Sequence, residues 1–157
     1  MRLEIDGWSA GLKFSACHLI PGHEKCGRLH GHTYAVHVRL VGRKNEMGYI
    51  ADFHEVKELV RRLIDRLDHR VLIPARHPSI TVIRRRGSVE LLVGKNRYTF
   101  PPGDVLLLDL PAVTAEQLSE YLLDRAAPAI ARLGNVSELQ LGLCEGVGQG
   151  AWAARKF

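Results

Sequence analysis

The segment from His18 to His32, HLIPGHEKCGRLHGH, holds the densest set of side chains able to do chemistry. His30 and His32 are two residues apart, so on an extended strand both imidazoles leave the same side. A third histidine on a neighbouring strand would complete a three-imidazole site. His18, at the end of the preceding extended segment, is the candidate. Three neutral imidazoles with one position left open is the pattern of catalytic zinc, whereas structural zinc is closed by four protein ligands. No Cys-x-x-Cys pair is present, which argues against a zinc ribbon or finger. The same spacing also fits a run of ordinary surface histidines. His23, His37, His54 and His77 lack such partners and are read as ordinary side chains.

Cys26 lies four residues before His30, with Lys25 and Arg28 close by. A nearby metal ion and basic side chains lower a thiol's pKa towards the thiolate, which is a base and a nucleophile. The plainer role of a cysteine is a small buried apolar residue. Cys17 and Cys144 are read that way. Asp68-His69 falls at the end of a helical pattern and can act as an orienting pair for proton transfer, or simply terminate the helix in solvent. Glu145 continues a face made of Leu139, Leu141 and Leu143. A carboxylate there either reaches the solvent edge or accepts paired N–H donors from a guanidine-like ligand edge, such as that of a pterin or a guanine.

These residues need strands and helices to position them. Residues 2–6 and 11–17 are short candidate strands. Residues 32–41 alternate, with Tyr34, Val36, Val38 and Leu40 on one face. Asp52 begins a helix whose stripe is Val56, Leu59, Val60, Leu63, Ile64 and Leu67, and which should end near Leu67. Residues 74–113 begin as a loop. TVIRRR, SVELLVG, RYTF and DVLLLDL then follow as short strands, forming an inserted hairpin or meander. Thr114-Ala115-Glu116-Gln117 has the form of a capping box and opens a second helix, with a kink expected at Pro128. Leu139 to Glu145 is a last central strand, and a short strand around Trp152 closes the pattern. The order of elements is α+β.

The chain has 157 residues, enough for one domain with a sizeable core and no disulfide staples. Apolar residues are 46 % and charged residues 25 %, which excludes global disorder. No apolar run approaches the ~20 residues of a membrane-spanning helix. The first residues show no secretory signal, and the three cysteines make no disulfide framework. The expectation is a cytoplasmic protein. The net charge of +5 favours anionic partners without naming one.

The run Cys26-Gly27-Arg28-Leu29-His30-Gly31-His32, of the form CxxxHGH, resembles the signature of the 6-carboxy-5,6,7,8-tetrahydropterin synthase branch of the 6-pyruvoyl tetrahydropterin synthase family. The resemblance continues in order through Phe14 to His18, Gly48 to Phe53, Leu67-Asp68-His69, Thr114-Ala115-Glu116 and Cys144-Glu145. It spans nearly the whole chain. It implies a tunnelling fold over residues 1–157: an antiparallel four-stranded sheet with two helices on one face. The insertion at about 74–113 is extra to that plan. It implies trimers stacked in pairs, with sites at subunit interfaces. It implies that His18, His30 and His32 hold Zn2+, that Cys26 is the catalytic base with Asp68 and His69 as its acid/base partners, and that Glu145, helped by Thr114, anchors the pterin. The implied reaction converts 7,8-dihydroneopterin triphosphate to 6-carboxy-5,6,7,8-tetrahydropterin with loss of acetaldehyde and triphosphate, on the route to queuosine or archaeosine. The alternatives are a 6-pyruvoyl tetrahydropterin synthase or a dihydroneopterin aldolase-like activity. A zinc-containing nucleic-acid-binding module is a more distant one, and nothing in the sequence interleaves aromatic residues with the basic ones for base stacking.

Overall fold

The computed structural model describes residues 1–157. In chain order its elements are β1 (Arg2–Ile5), β2 (Lys13–His18), β3 (His30–Gly42), α1 (Phe53–Ile64), β4 (Arg70–Pro74), β5 (Ile80–Arg85), β6 (Ser88–Val93), β7 (Asn96–Phe100), β8 (Val105–Leu108), α2 (Ala115–Ala131), β9 (Val136–Gly146) and β10 (Gln149–Lys156). The chain divides into two compact units. The first holds Met1–Phe14, Thr33–Arg66 and Ala115–Phe157, and the second holds Ser15–His32 and Leu67–Thr114.

In the first unit, β1 pairs with β3, β3 with β9, and β9 with β10, all antiparallel. The register sets Val36 opposite Leu143, Val38 opposite Leu141 and Leu40 opposite Leu139. All six side chains are at most 1 % exposed. Side chains alternate with a period of two, so a slip of one residue would turn the whole set to the other face; this pairing is what fixes the register. The helix α2 packs on β9 and β10 through Leu118, Leu122, Ala126 and Ile130, and α1 meets α2. These four antiparallel strands and two helices match the plan that the resemblance implied, but they are part of one seven-stranded sheet, which is mixed because β4 pairs in parallel.

The helix ends show where local chemistry decides. The Asp52 side chain accepts a 2.7 Å hydrogen bond from the His54 N–H, which satisfies one of the free amides of the first turn of α1. Along α1, Val56, Val60 and Ile64 are buried. The helix ends at Ile64, short of the expected end near Leu67, and irregular turns carry the chain on to Arg70. Along α2 the helix continues through Pro128 to Ala131.

In the second unit, β4 is a strand where none was expected. It pairs in parallel with β2, Ala16 opposite Arg70 and Cys17 opposite Val71, and in parallel with β8, from Val71–Val105 to Pro74–Leu108. Its sequence, RVLIP, is a short apolar run after Arg70. Such runs suit parallel strands covered on both faces and carry no alternation to betray them. The segment DVLLLDL therefore supplies β8 beside β4 and is not part of the inserted meander. The meander itself is β5–β6–β7, antiparallel throughout. Val89, Leu91 and Val93 of β6 bury against Leu19 and Ile73. The Arg84-Arg85-Arg86 run lies in solvent, with Arg85 paired to Glu90 at 2.6 Å. No helix in the chain is long and apolar enough to cross a membrane.

Candidate active site

The three histidines of the first motif converge in the second unit. His18 is the last residue of β2, and His30 and His32 open β3. Their ring centroids lie 4.5 Å apart for His18–His30, 5.2 Å for His18–His32 and 5.0 Å for His30–His32. One nitrogen from each ring lies within 4.8 Å of the others, which one metal ion could bridge. The glycine between the two histidines sits in a tight place. A Cβ on Gly31 would come 3.1 Å from Cys17 Sγ and 3.2 Å from the Ala16 carbonyl oxygen. Gly31 and Cys17 therefore share one face, and the three imidazoles share the other.

Backbone carbonyls orient two of the rings. His18 Nδ1 lies 2.6 Å from the Val113 carbonyl oxygen, and His30 Nδ1 lies 2.8 Å from that of Arg28. A carbonyl only accepts, so each Nδ1 carries the proton and donates it. Each Nε2 is then the nitrogen free of a proton. Such outer hydrogen bonds are what fix the tautomer and angle of metal-binding histidines. His18 is fully buried. Burial pushes its pKa down, the neighbouring His30 and His32 charges push the same way, and the Val113 bond only partly opposes them, leaving it at about 4. It is neutral at pH 7, the form a metal ion takes.

Asp68 and His69 form a second group in the same unit. Asp68 Oδ1 accepts the Ser15 N–H at 2.8 Å, and Asp68 Oδ2 lies 2.8 Å from His69 Nδ1. Burial pushes the Asp68 carboxyl up, but the Ser15 amide and then His69 outweigh it and hold the group below its ordinary value. The His69 amide donates to the Ser15 carbonyl at 2.6 Å. His69 is the one non-glycine residue at positive φ, at 55°. That conformation costs an L-residue about 1–2 kcal/mol. It persists because Asp68 and Ser15 hold both sides of the residue, and the ring stays exposed. Residues held in such conformations cluster at functional sites.

Cys26 is half-buried, in the turn between β2 and β3. Thr114 follows Val113, the residue whose carbonyl orients His18. Glu145 lies on β9 in the first unit, half-buried beside Cys144. Burial and the charge of Asp6 push the Cys144 thiol up, which fits its plain role. Of the histidines read as ordinary, His77 accepts from the Ser79 amide at 3.1 Å and His37 lies 3.2 Å from Asp6. Two participants were invisible in the sequence, the Val113 carbonyl and the Ser15 amide. Both act through backbone atoms, which leave no residue signature.

The 6-pyruvoyl tetrahydropterin synthase family model matches residues 9–155. A Methanocaldococcus jannaschii protein named "Putative 6-carboxy-5,6,7,8-tetrahydropterin synthase" is 36 % identical over 154 residues, covering 96 % of this chain and 94 % of that one. A Haemophilus influenzae 6-carboxy-5,6,7,8-tetrahydropterin synthase is 37 % identical over 67 residues, 39 % of this chain and 48 % of that one. Among solved structures, the Plasmodium falciparum 6-pyruvoyl tetrahydropterin synthase shares the fold with a TM-score of 0.92 at 21 % identity, covering 100 % of this chain and 98 % of that one. The chain belongs to the 6-pyruvoyl tetrahydropterin synthase family and is an enzyme of pterin metabolism, a lyase of the pterin synthase type.

Proposed function

We propose that the chain is a zinc-dependent lyase that converts 7,8-dihydroneopterin triphosphate to 6-carboxy-5,6,7,8-tetrahydropterin, releasing acetaldehyde and triphosphate. The observation that carries the reading is the trio of His18, His30 and His32, with one nitrogen of each within 4.8 Å of the others and the Nδ1 of two rings bonded to backbone carbonyls. Three neutral imidazoles suit zinc and leave a position for substrate. The choice of product is supported by the relative matched along almost the whole chain and by the three-residue gap in CxxxHGH.

In this reading His18, His30 and His32 hold the ion. When bound it supplies Lewis-acid chemistry, acidifying the protons beside the substrate's side-chain oxygens. Cys26 as a thiolate takes a proton from that side chain. His69, held by Asp68, gives or accepts a proton elsewhere on it. Glu145 accepts the paired N–H donors of the amino-pyrimidine edge, helped by Thr114. The basic balance of the chain suits a triphosphate. The working form is read as a pair of stacked trimers in the cytoplasm, with the pterin end of each site at a subunit interface.

The test is mass spectrometry of the products made by zinc-loaded protein from 7,8-dihydroneopterin triphosphate. A 6-carboxytetrahydropterin together with acetaldehyde is the expected result. A pyruvoyl product would keep the site but assign the chain to the other branch. No turnover would overturn the substrate assignment.

A further inference from the structure

The turn that carries Cys26 is closed by a side chain that the proposed chemistry does not use. His23 Nδ1 accepts hydrogen bonds from two amides, Cys26 N–H at 2.9 Å and Lys25 N–H at 3.3 Å. The His23 carbonyl accepts the Gly27 N–H at 3.0 Å. The His23 N–H donates to the Ile20 carbonyl at 3.1 Å, and the Ile20 N–H donates to the Cys26 carbonyl at 2.8 Å. The peptide groups on both sides of Cys26 are thus tied, one to the His23 ring and one to the Ile20 amide. A Cβ on Gly27 would collide with the His23 carbonyl oxygen, so the turn closes this tightly only with glycine after the cysteine.

The turn also joins the metal-binding residues. It starts at Ile20, two residues after His18 ends β2, and the Arg28 carbonyl at its far end orients His30. The His23 ring bonds hold Lys25 and Cys26, and the contact that orients His30 is a separate one, at Arg28. For Nδ1 to accept two amides, the His23 ring must be neutral with its proton on Nε2. An acceptor that reaches the amides two and three residues ahead is the role that Asn, Asp and Ser play at the first turn of a helix.

We propose that His23 is a positioning residue: its Nδ1 holds the Cys26 amide and so aims the thiol at the substrate. The inference rests on Cys26 being the base of the proposed reaction. A single exposed hydrogen bond is worth about 1 kcal/mol, so its loss frees the turn without unfolding the chain. A misplacement of about 1 Å at a reacting group can cost roughly a hundredfold in rate.

The experiment compares zinc-loaded parent, His23→Leu, His23→Asn and Cys26→Ala. It measures steady-state kinetics with 7,8-dihydroneopterin triphosphate, zinc content, and the rate of Cys26 alkylation by iodoacetamide followed by peptide mass. In His23→Leu, kcat should fall by at least about tenfold, with KM within about threefold and zinc retained, because the thiol is misplaced while the substrate contacts persist. Alkylation should speed up, because a looser turn exposes the half-buried sulfur. In His23→Asn, whose Oδ1 can accept from the same amides, most of the lost kcat and the parental alkylation rate should return. An unchanged kcat or alkylation rate in His23→Leu, a loss of zinc, or no recovery in His23→Asn would overturn the inference while Cys26→Ala stays inactive. Full turnover by Cys26→Ala would overturn the base assignment and this inference with it.

Discussion

In the first unit, β3 and β9 set Val36, Val38 and Leu40 against Leu143, Leu141 and Leu139, each at most 1 % exposed. In the second, the strand ends that meet near Gly31 bury an imidazole, His18, as completely as any of those leucines. A few residues after α1, the chain also holds His69 at a φ of 55°. Burying a leucine side chain is favourable by about 1.5–3 kcal/mol. Burying a polar ring costs free energy unless its hydrogen bonds are met, and positive φ costs more. The first unit follows local rules at each of these positions. The second breaks them where the candidate chemistry sits, and it meets the cost with Val113, Ser15 and Asp68.

The contrast can be broken from either side. The largest effect is expected from Leu141→Ala in the first unit. It should cost about 2–5 kcal/mol in chemical denaturation, because the antiparallel register leaves little room for the site to collapse. Zinc bound by the folded variant should match the parent. Zinc lost in proportion to stability would mean that the metal site is not a local property of the second unit.

A smaller and opposite effect is expected from His69→Gly. Glycine adopts positive φ freely, so relief of about 1–2 kcal/mol of strain is set against a more flexible unfolded chain and a lost exposed ion pair. The melting temperature should stay level or rise. Turnover should fall by about a hundredfold or more, the usual contribution of a positioned acid or base. A melting temperature several degrees lower, with turnover kept, would make His69 a structural residue.

The same contrast decides what could be read in advance. The alternation in β3, the stripe of α1 and the leucine face of β9 were legible because burial on one face repeats with a fixed period. The strand β4 was not, because the short apolar run from Val71 to Pro74 has no period. The three histidines were legible through side-chain type and strand spacing. Their orientation was not, since Val113 is 95 residues from His18 in sequence and contributes only a carbonyl. Nor was the backbone conformation of His69, which comes from its bond to Ser15 on a distant strand. The role of His23 was hidden for a related reason. One histidine looks like another until the amides facing its ring are known.

The central claim is that the metal cage and the base are separate parts of one site. Zinc content and turnover, measured together in Cys26→Ala and His30→Ala, test it most directly. Cys26→Ala should keep the parental zinc content and lose turnover, whereas His30→Ala should lose both. Parental turnover in Cys26→Ala, or full zinc in His30→Ala, would contradict it.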